Sequence, residues 1–249
     1  MIIQGDCLVE MPKIPDKSID MILCDLPYGT TACKWDTIIP FEPLWEQYKR
    51  IIKDNGAIVL TASQPFTSAL VMSNVKMFKY EWVWEKERPT NIFLMKKQCG
   101  KVHENILVFY KEQPTYNPII EPSKQPKNNQ NNKSQIGEMN SIETLGKTKT
   151  KISETYNPQT RNPRSVIKIN RGTRGNSKLH PTQKPVALFE YLIKTYTNEG
   201  DLVLDNCAGS GTTGVACKNL NRNCILIEKD ETYFKIAERR INNTSENLL

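Results

Sequence analysis

Leu202-Val203-Leu204-Asp205-Asn206-Cys207-Ala208-Gly209-Ser210-Gly211-Thr212-Thr213-Gly214 is the stretch on which the reading of the fold turns. Leu202–Asp205 is a short apolar run ending in an acid, the pattern of a buried strand. The glycines that follow let the backbone turn sharply and approach a ligand with no Cβ in the way. A helical segment comes next, and then a second apolar run, Cys224-Ile225-Leu226-Ile227-Glu228. Gly209, Gly211 and Gly214 match the G-x-G-x-x-G turn of nucleotide-binding α/β folds, and Glu228 stands near the spacing of an acid that accepts ribose hydroxyls.

The same alternation extends outward. Ile2–Gln4, Met21–Cys24 and Ala57–Leu60 are short apolar runs expected to be strands, with Glu81–Trp84 and Asn105–Tyr110 as further candidates. Phe41, Leu44, Trp45, Tyr48, Ile51 and Ile52 recur at helical spacing, and Asp54-Asn55-Gly56 is expected to end that helix. Val186, Leu188, Phe189, Leu192, Ile193 and Tyr196 predict a helix opened by Pro185, and Thr232–Ile241 a final amphipathic one. Strands alternating with helices imply an α/β fold with a mostly parallel twisted sheet and helices on both faces.

Residues 112–179 break the pattern. Pro114, Pro118, Pro122 and Pro126 precede the polar run Lys127-Asn128-Asn129-Gln130-Asn131-Asn132-Lys133, and large apolar residues are sparse. An irregular insertion with a short strand at Ser165–Ile169 is expected. It holds eight lysines and four arginines against five glutamates, an excess equal to the +7 of the whole 249-residue chain. A neutral body with one basic segment is the footprint of a polyanion-binding protein.

Other classes are disfavoured. The seven cysteines are scattered with no C-x-x-C pair, and His103 and His180 are the only histidines, so no metal site is expected. No apolar run approaches the roughly 18 residues of a membrane span. The N-terminus lacks the parts of a signal peptide, which predicts a cytoplasmic protein.

Two more motifs carry chemistry. Asp25-Leu26-Pro27-Tyr28 follows the strand-like Ile19–Cys24, at the strand end where open α/β sheets bind ligands. A carboxylate, a stiffened backbone and an aromatic ring there suit a flat heterocycle bearing an amine. His180-Pro181-Thr182-Gln183-Lys184-Pro185 precedes the next predicted helix. The glycine turn alone fits NAD(P) or S-adenosylmethionine. Asp205 beside it suits a cationic ligand, and S-adenosylmethionine carries an ammonium and a sulfonium.

These three motifs, in this order and with a basic variable region between the first and second, resemble the β-class amino DNA methyltransferases. The resemblance covers nearly all of the chain outside residues 112–179. It implies a Rossmann-like S-adenosylmethionine-dependent methyltransferase fold with circularly permuted motif order. Residues 1–111 would be the catalytic half, 112–179 the target-recognition insertion and 180–249 the cofactor-binding half. The permutation would place Met1–Asp6 as a strand beside the last one, with Asp6 near the cofactor's adenine.

The resemblance also implies roles. The Asp25 carboxylate and the main-chain carbonyl of Leu26, stiffened by Pro27, would accept the amine of a base swung out of DNA, and Tyr28 would stack on that base. Asp6, Cys7, Asp25, Thr182, Gln183, Lys184, Asp205, Cys207, Ala208, Gly209, Ser210, Gly211, Thr212, Thr213 and Glu228 would form the cofactor site. Arg161, Arg164, Arg171 and Arg174 would contact double-stranded DNA. Leu26 and Cys207 depart from the family pattern, which usually has proline and commonly phenylalanine there. The absence of a Pro-Cys dipeptide argues against cytosine-C5 chemistry. Asp25 favours adenine N6 as the target over cytosine N4, the alternative. An NAD(P)-dependent oxidoreductase and a non-catalytic DNA-binding protein are rival readings. The resemblance is compatible with a homodimer and with a cognate restriction enzyme.

Overall fold

The computed structural model describes residues 1–31, 33, 36–123, 159–171 and 183–244. The chain forms two compact units, Met1–Asn117 with Ser165–Leu249, and Pro118–Arg164. The larger unit is an α/β sandwich. Its strands are β1 (Ile2–Gln4), β2 (Ile19–Cys24), β3 (Ile52–Ala62), β4 (Phe78–Glu85), β5 (His103–Phe109), β8 (Val166–Lys168), β9 (Leu202–Asp205) and β10 (Asn223–Glu228). The helices are α1 (Cys7–Glu10), α2 (Phe41–Ile51), α3 (Phe66–Ser73), α4 (Val186–Tyr196), α5 (Thr212–Asn219) and α6 (Glu231–Asn242). In the smaller unit β6 (Glu121–Pro122) pairs antiparallel with β7 (Thr160–Arg161), and Arg161 closes the pair with an ion pair to Glu121 at 2.7 Å.

The eight-stranded sheet runs β1-β10-β9-β2-β3-β5-β4-β8, and β5 is the strand that runs against the others. Period-two burial sorts each central strand between two cores. Ile22, Cys24, Ile58, Leu60, Leu107 and Phe109 face α1, α2 and α3, where Leu44, Trp45, Tyr48 and Phe66 complete one core. Met21, Leu23, Ala57, Val59, Ile106 and Val108 face α4 and α5, packing on Leu188, Leu192, Ile193 and Ala216. Strands buried on both faces read as unbroken apolar runs, which is why β2 and β9 were visible in the sequence.

Terminal strand β1 joins the sheet beside β10 in parallel, with Ile3 opposite Ile227. The Met1 amine donates to the Cys224 carbonyl at 2.8 Å, and Gly5 N–H to the Glu228 carbonyl at 2.9 Å. The first residues thus extend the half of the sheet built by the last ones, as the permuted order requires.

Three local features differ from the expectation. The helix starting at Phe41 ends at Ile51, and Ile52 already belongs to β3. Asp54-Asn55-Gly56 does not cap it but lies in a bulge, because Ile19 pairs with Ile52 and Met21 with Ala57. Gly56 fits there since a Cβ would sit 2.9 Å from the Asp20 carbonyl. The third feature is α3, for which no sequence signal was read. The strand expected at Ser165–Ile169 is present as β8. Among the described residues, no helix is long and apolar enough to cross a membrane.

Gly211 is required on two counts, conformation and space. Its φ is +77°, and an added Cβ would stand 2.9 Å from Ala237 Cβ and 3.1 Å from its Cα on α6. Gly211→Ala should therefore lower stability by about 1–3 kcal/mol, read as a shift in denaturant midpoint.

Candidate active site

Parallel strands deliver their carboxyl ends to one edge, and a cavity of about 960 Å³ opens along it. Asp25 follows β2 and Asp205 ends β9. Glu228 ends β10, while Asp6 follows β1 and caps α1 by accepting from Leu8 N–H at 2.9 Å. All four carboxylates line the cavity, together with Cys7, Leu26, Pro27, Tyr28, Gln183, Lys184, Cys207, Ala208, Gly209, Ser210 and Thr212. The structure thus brings the described parts of the three motifs together.

The glycine turn is held by its own chain. Gly209 N–H donates to Glu228 Oε2 at 2.7 Å, and Ala208 N–H to the Ile227 carbonyl at 3.0 Å. Asp205 accepts from Cys207 N–H at 3.1 Å and from the Thr213 hydroxyl. Burial pushes the Asp205 carboxyl up to about 6, although those hydrogen bonds pull the other way. Among the described residues no cation forms an ion pair with it. Burial likewise raises the Glu228 carboxyl.

Gln183 and Lys184 reach this turn from the other side. Ser210 Oγ donates to Gln183 Oε1 at 3.1 Å, and Thr212 Oγ1 to the Lys184 carbonyl at 3.4 Å. The Lys184 ammonium, itself buried, lies 2.7 Å from both oxygens of Asp25 and 3.3 Å from Glu104 Oε2. Burial acts to lower its pKa, but the Asp25 and Glu104 charges outweigh it and hold the ammonium above the usual lysine range. Glu104 is paired in turn with the buried Lys86. Charges therefore alternate in a buried chain, Asp25, Lys184, Glu104, Lys86.

Asp25 is also fixed from below. The hydroxyls of Tyr28 (2.8 Å) and Thr61 donate to its Oδ1. The Tyr28 ring stacks on Phe66, with centroids 5.2 Å apart and planes at 25°. Leu26 buries its side chain in the core. Asp36 gathers the loop beyond Tyr28, accepting from the N–H groups of Gly29 (2.9 Å), Thr30 (2.9 Å) and Thr31 (2.7 Å). Beneath the site, burial pushes the Cys24 thiol up to about 12, so it carries no thiolate.

Sequence reasoning did not name Thr61, Glu104, Lys86 or Asp36. Glu104 stands just before the apolar run Ile106–Phe109, a charge at a strand end that was the available signal, whereas Lys86 lies in the charged run Glu85-Lys86-Glu87-Arg88 and carried none. Of the arginines, Arg171 lines the cavity and forms an ion pair with Glu87 at 3.4 Å, Arg161 pairs with Glu121, and Arg164 is exposed. Arg174 and Thr182, with His180 and Pro181, lie outside the described residues. No group of three or more metal-ligating side chains occurs among the described residues.

A G-x-G-x-x-G turn and the Asp25-Leu26-Pro27-Tyr28 strand end share one cavity, the arrangement that the family resemblance implies. The comparisons agree: the sequence model of the N6/N4 family, described as DNA methylase, matches residues 19–239. The DNA adenine methyltransferase YhdJ of Escherichia coli (strain K12) is 30% identical over 263 residues, which cover 98% of this chain and 83% of that protein. The M1.HpyAVI–SAM complex is 27% identical, with a TM-score of 0.63 over 97% of this chain and 98% of that one. The cytosine-N4-specific PvuII DNA methyltransferase has the same fold, at 16% identity and a TM-score of 0.67 over 98% of this chain and 88% of that one. The chain belongs to the N6/N4 DNA methylase family, and it is a DNA methyltransferase.

Glu104→Gln would leave the Lys184 and Lys86 ammonium groups buried with one carboxylate between them. Breaking such a pair should cost about 3 kcal/mol, measurable as a loss in unfolding free energy.

Proposed function

We propose that the protein transfers a methyl group from S-adenosylmethionine to N6 of an adenine extruded from double-stranded DNA. The observation that carries this reading is the meeting of the Asp25 tip and the glycine turn in one cavity, joined by Lys184. Adenine is favoured by the aspartate at position 25 and by the likeness to an adenine methyltransferase over 98% of the chain.

The residues present fit a cationic adenosine cofactor. Gly209, at positive φ and lining the cavity, leaves the turn open for close approach, while Gly211 lets the turn pack against α6. The buried Asp205 is a negative charge awaiting a positive partner. Glu228 retains lone pairs for ribose hydroxyls beyond the two main-chain N–H groups it accepts. Asp6 and Cys7 close the end of the site beside β1, Gln183, Ser210 and Thr212 hold its walls, and Thr213, buried behind them, fixes Asp205. When bound, S-adenosylmethionine supplies an electrophilic methyl group on a positively charged sulfur.

Asp25 and the Leu26 carbonyl accept the two N–H bonds of the target amine and aim its nitrogen lone pair into the cavity. For this the amine must replace part of the Lys184 contact on Asp25. Glu104, already 3.3 Å away, gives the ammonium another carboxylate when it yields. Phe66 backs the Tyr28 ring and fixes the plane on which the base stacks, an interaction worth about 1–3 kcal/mol. Catalysis on this reading is positioning and charge complementarity, with no covalent enzyme intermediate. Arg161, Arg164, Arg171 and Arg174 contribute DNA contacts, the guanidinium fork suiting phosphates and guanine edges.

Single-molecule sequencing of DNA from cells expressing the protein should reveal N6-methyladenine in one motif. Exclusive N4-methylcytosine would overturn the adenine assignment. Asp25→Ala should lower methyl transfer by about 100-fold or more while sparing DNA binding in gel-shift titrations.

A second prediction comes from Asp205. Its native pKa of about 6 exceeds the ordinary 3.8, so the ligand-free native state keeps a proton that the unfolded chain has lost. Its contribution to stability therefore declines as pH rises through that window. A cationic cofactor favours the ionised form, so affinity should run the opposite way. Calorimetric titration should show S-adenosylmethionine binding about tenfold tighter at pH 7 than at pH 5, and Asp205→Asn should flatten that dependence.

A further inference from the structure

Between β4 and β5 the chain leaves the sheet at the edge that carries the cavity. It presents Ile92, Phe93, Leu94 and Met95 to solvent, with Phe93 100% exposed. Consecutive large apolar side chains left in water mark a contact surface. The loop that carries them is built rather than slack. Asn91 ties its two stems together, donating from Nδ2 to the Cys99 carbonyl at 3.0 Å and accepting from Lys101 N–H at 2.6 Å. Thr90 N–H donates to the Lys101 carbonyl at 3.0 Å, and a 3-10 turn over Ile92–Leu94 shapes the tip.

Two observations identify what this surface meets. Thr90 and Lys101, on the stems, line the same cavity as Asp25, so the tip stands beside the entrance that a target base must use. Arg88, Lys96, Lys97 and Lys101 surround the apolar residues, and residues 88–101 contain no acid. An apolar tip within a cationic collar matches a nucleic-acid duplex, whose stacked bases lie between two rows of phosphates.

We propose that the 91–98 loop is a DNA wedge, and that Phe93 enters the base stack to fill the gap left by the extruded target. The inference rests on the reading of Asp25 as the acceptor for an extruded base. Lys96 and Lys97 anchor the flanking phosphates, and the Asn91 clamp holds the tip in its working shape before DNA arrives, which limits the entropy lost on binding. Filling the gap stabilises the extruded state and opposes return of the base.

The test compares wild type, Phe93→Ala and Phe93→Leu on a duplex carrying the methylated motif. Each is also timed on the same duplex with an abasic site opposite the target, where extrusion breaks no base pair. Phe93→Ala should slow methylation of the paired duplex by about 10–100-fold and run close to wild type on the abasic one. Phe93→Leu, still an apolar wedge, should fall between. An equal loss on both duplexes, or no loss on either, would overturn the wedge. So would a Phe93→Ala protein that methylates normally but sediments as a smaller assembly, which would make the loop a contact between copies of this chain. Wild type failing on both duplexes would instead strike the amine-acceptor reading, and the wedge would fall with it.

Discussion

A lysine ammonium cannot be buried without a negative partner, and Lys184 is buried with two. That requirement ties together parts of the chain that are far apart in sequence. Asp25 comes from the end of β2, Glu104 from the mouth of the antiparallel strand β5, and Lys184 from the segment before α4. The Lys184 carbonyl accepts from Thr212 at the start of α5, so the same residue that pairs with Asp25 also braces the glycine turn. The two halves of the site are in this way one electrostatic and hydrogen-bonded unit.

The sheet explains why such a unit can form at all. In a parallel sheet every carboxyl end reaches the same edge, and β9, beside β2, puts Asp205 next to the Asp25 tip. Four carboxylates gathered on one rim would repel each other if all were ionised and unpaired. Each is handled differently: Asp25 by an ammonium, Asp6 by Lys229 at 3.0 Å, Glu228 by main-chain N–H groups, and Asp205 by partial protonation. Among the described residues neither Asp205 nor Glu228 has a cation in an ion pair, and a ligand that brings positive charge relieves the fully buried one, Asp205.

Much of this was legible in the residues, and for physical reasons. Strands buried on both faces must be continuously apolar, so β2, β9 and β10 announced themselves, and the acids that ended them marked the ligand edge. Tight turns need glycine, so Gly209 and Gly211 were readable as well. What stayed hidden depends on pairing. Glu104 becomes a site residue because β5 runs antiparallel between β3 and β4, placing Glu104 opposite Trp84 and near Lys184. Asp36 serves by collecting three main-chain N–H groups, a task that any loop carboxylate could perform and that no spacing encodes. The helix end misread at Asp54-Asn55-Gly56 has a similar origin. Gly and Asn mark a bulge as readily as a helix stop, and the difference lies in the partner strand.

Charge is also divided along the rim in a way that suits a two-substrate enzyme. The end formed by β1, β10 and β9 is acidic and enclosed by main chain, fit for a small cation held deep. The end formed by β5, β4 and β8 carries Lys101, Lys86 and Arg171 into the cavity wall, with Arg88, Lys96 and Lys97 on the β4–β5 connection. Asp25 stands where the two regions meet, paired with the buried Lys184 at 2.7 Å.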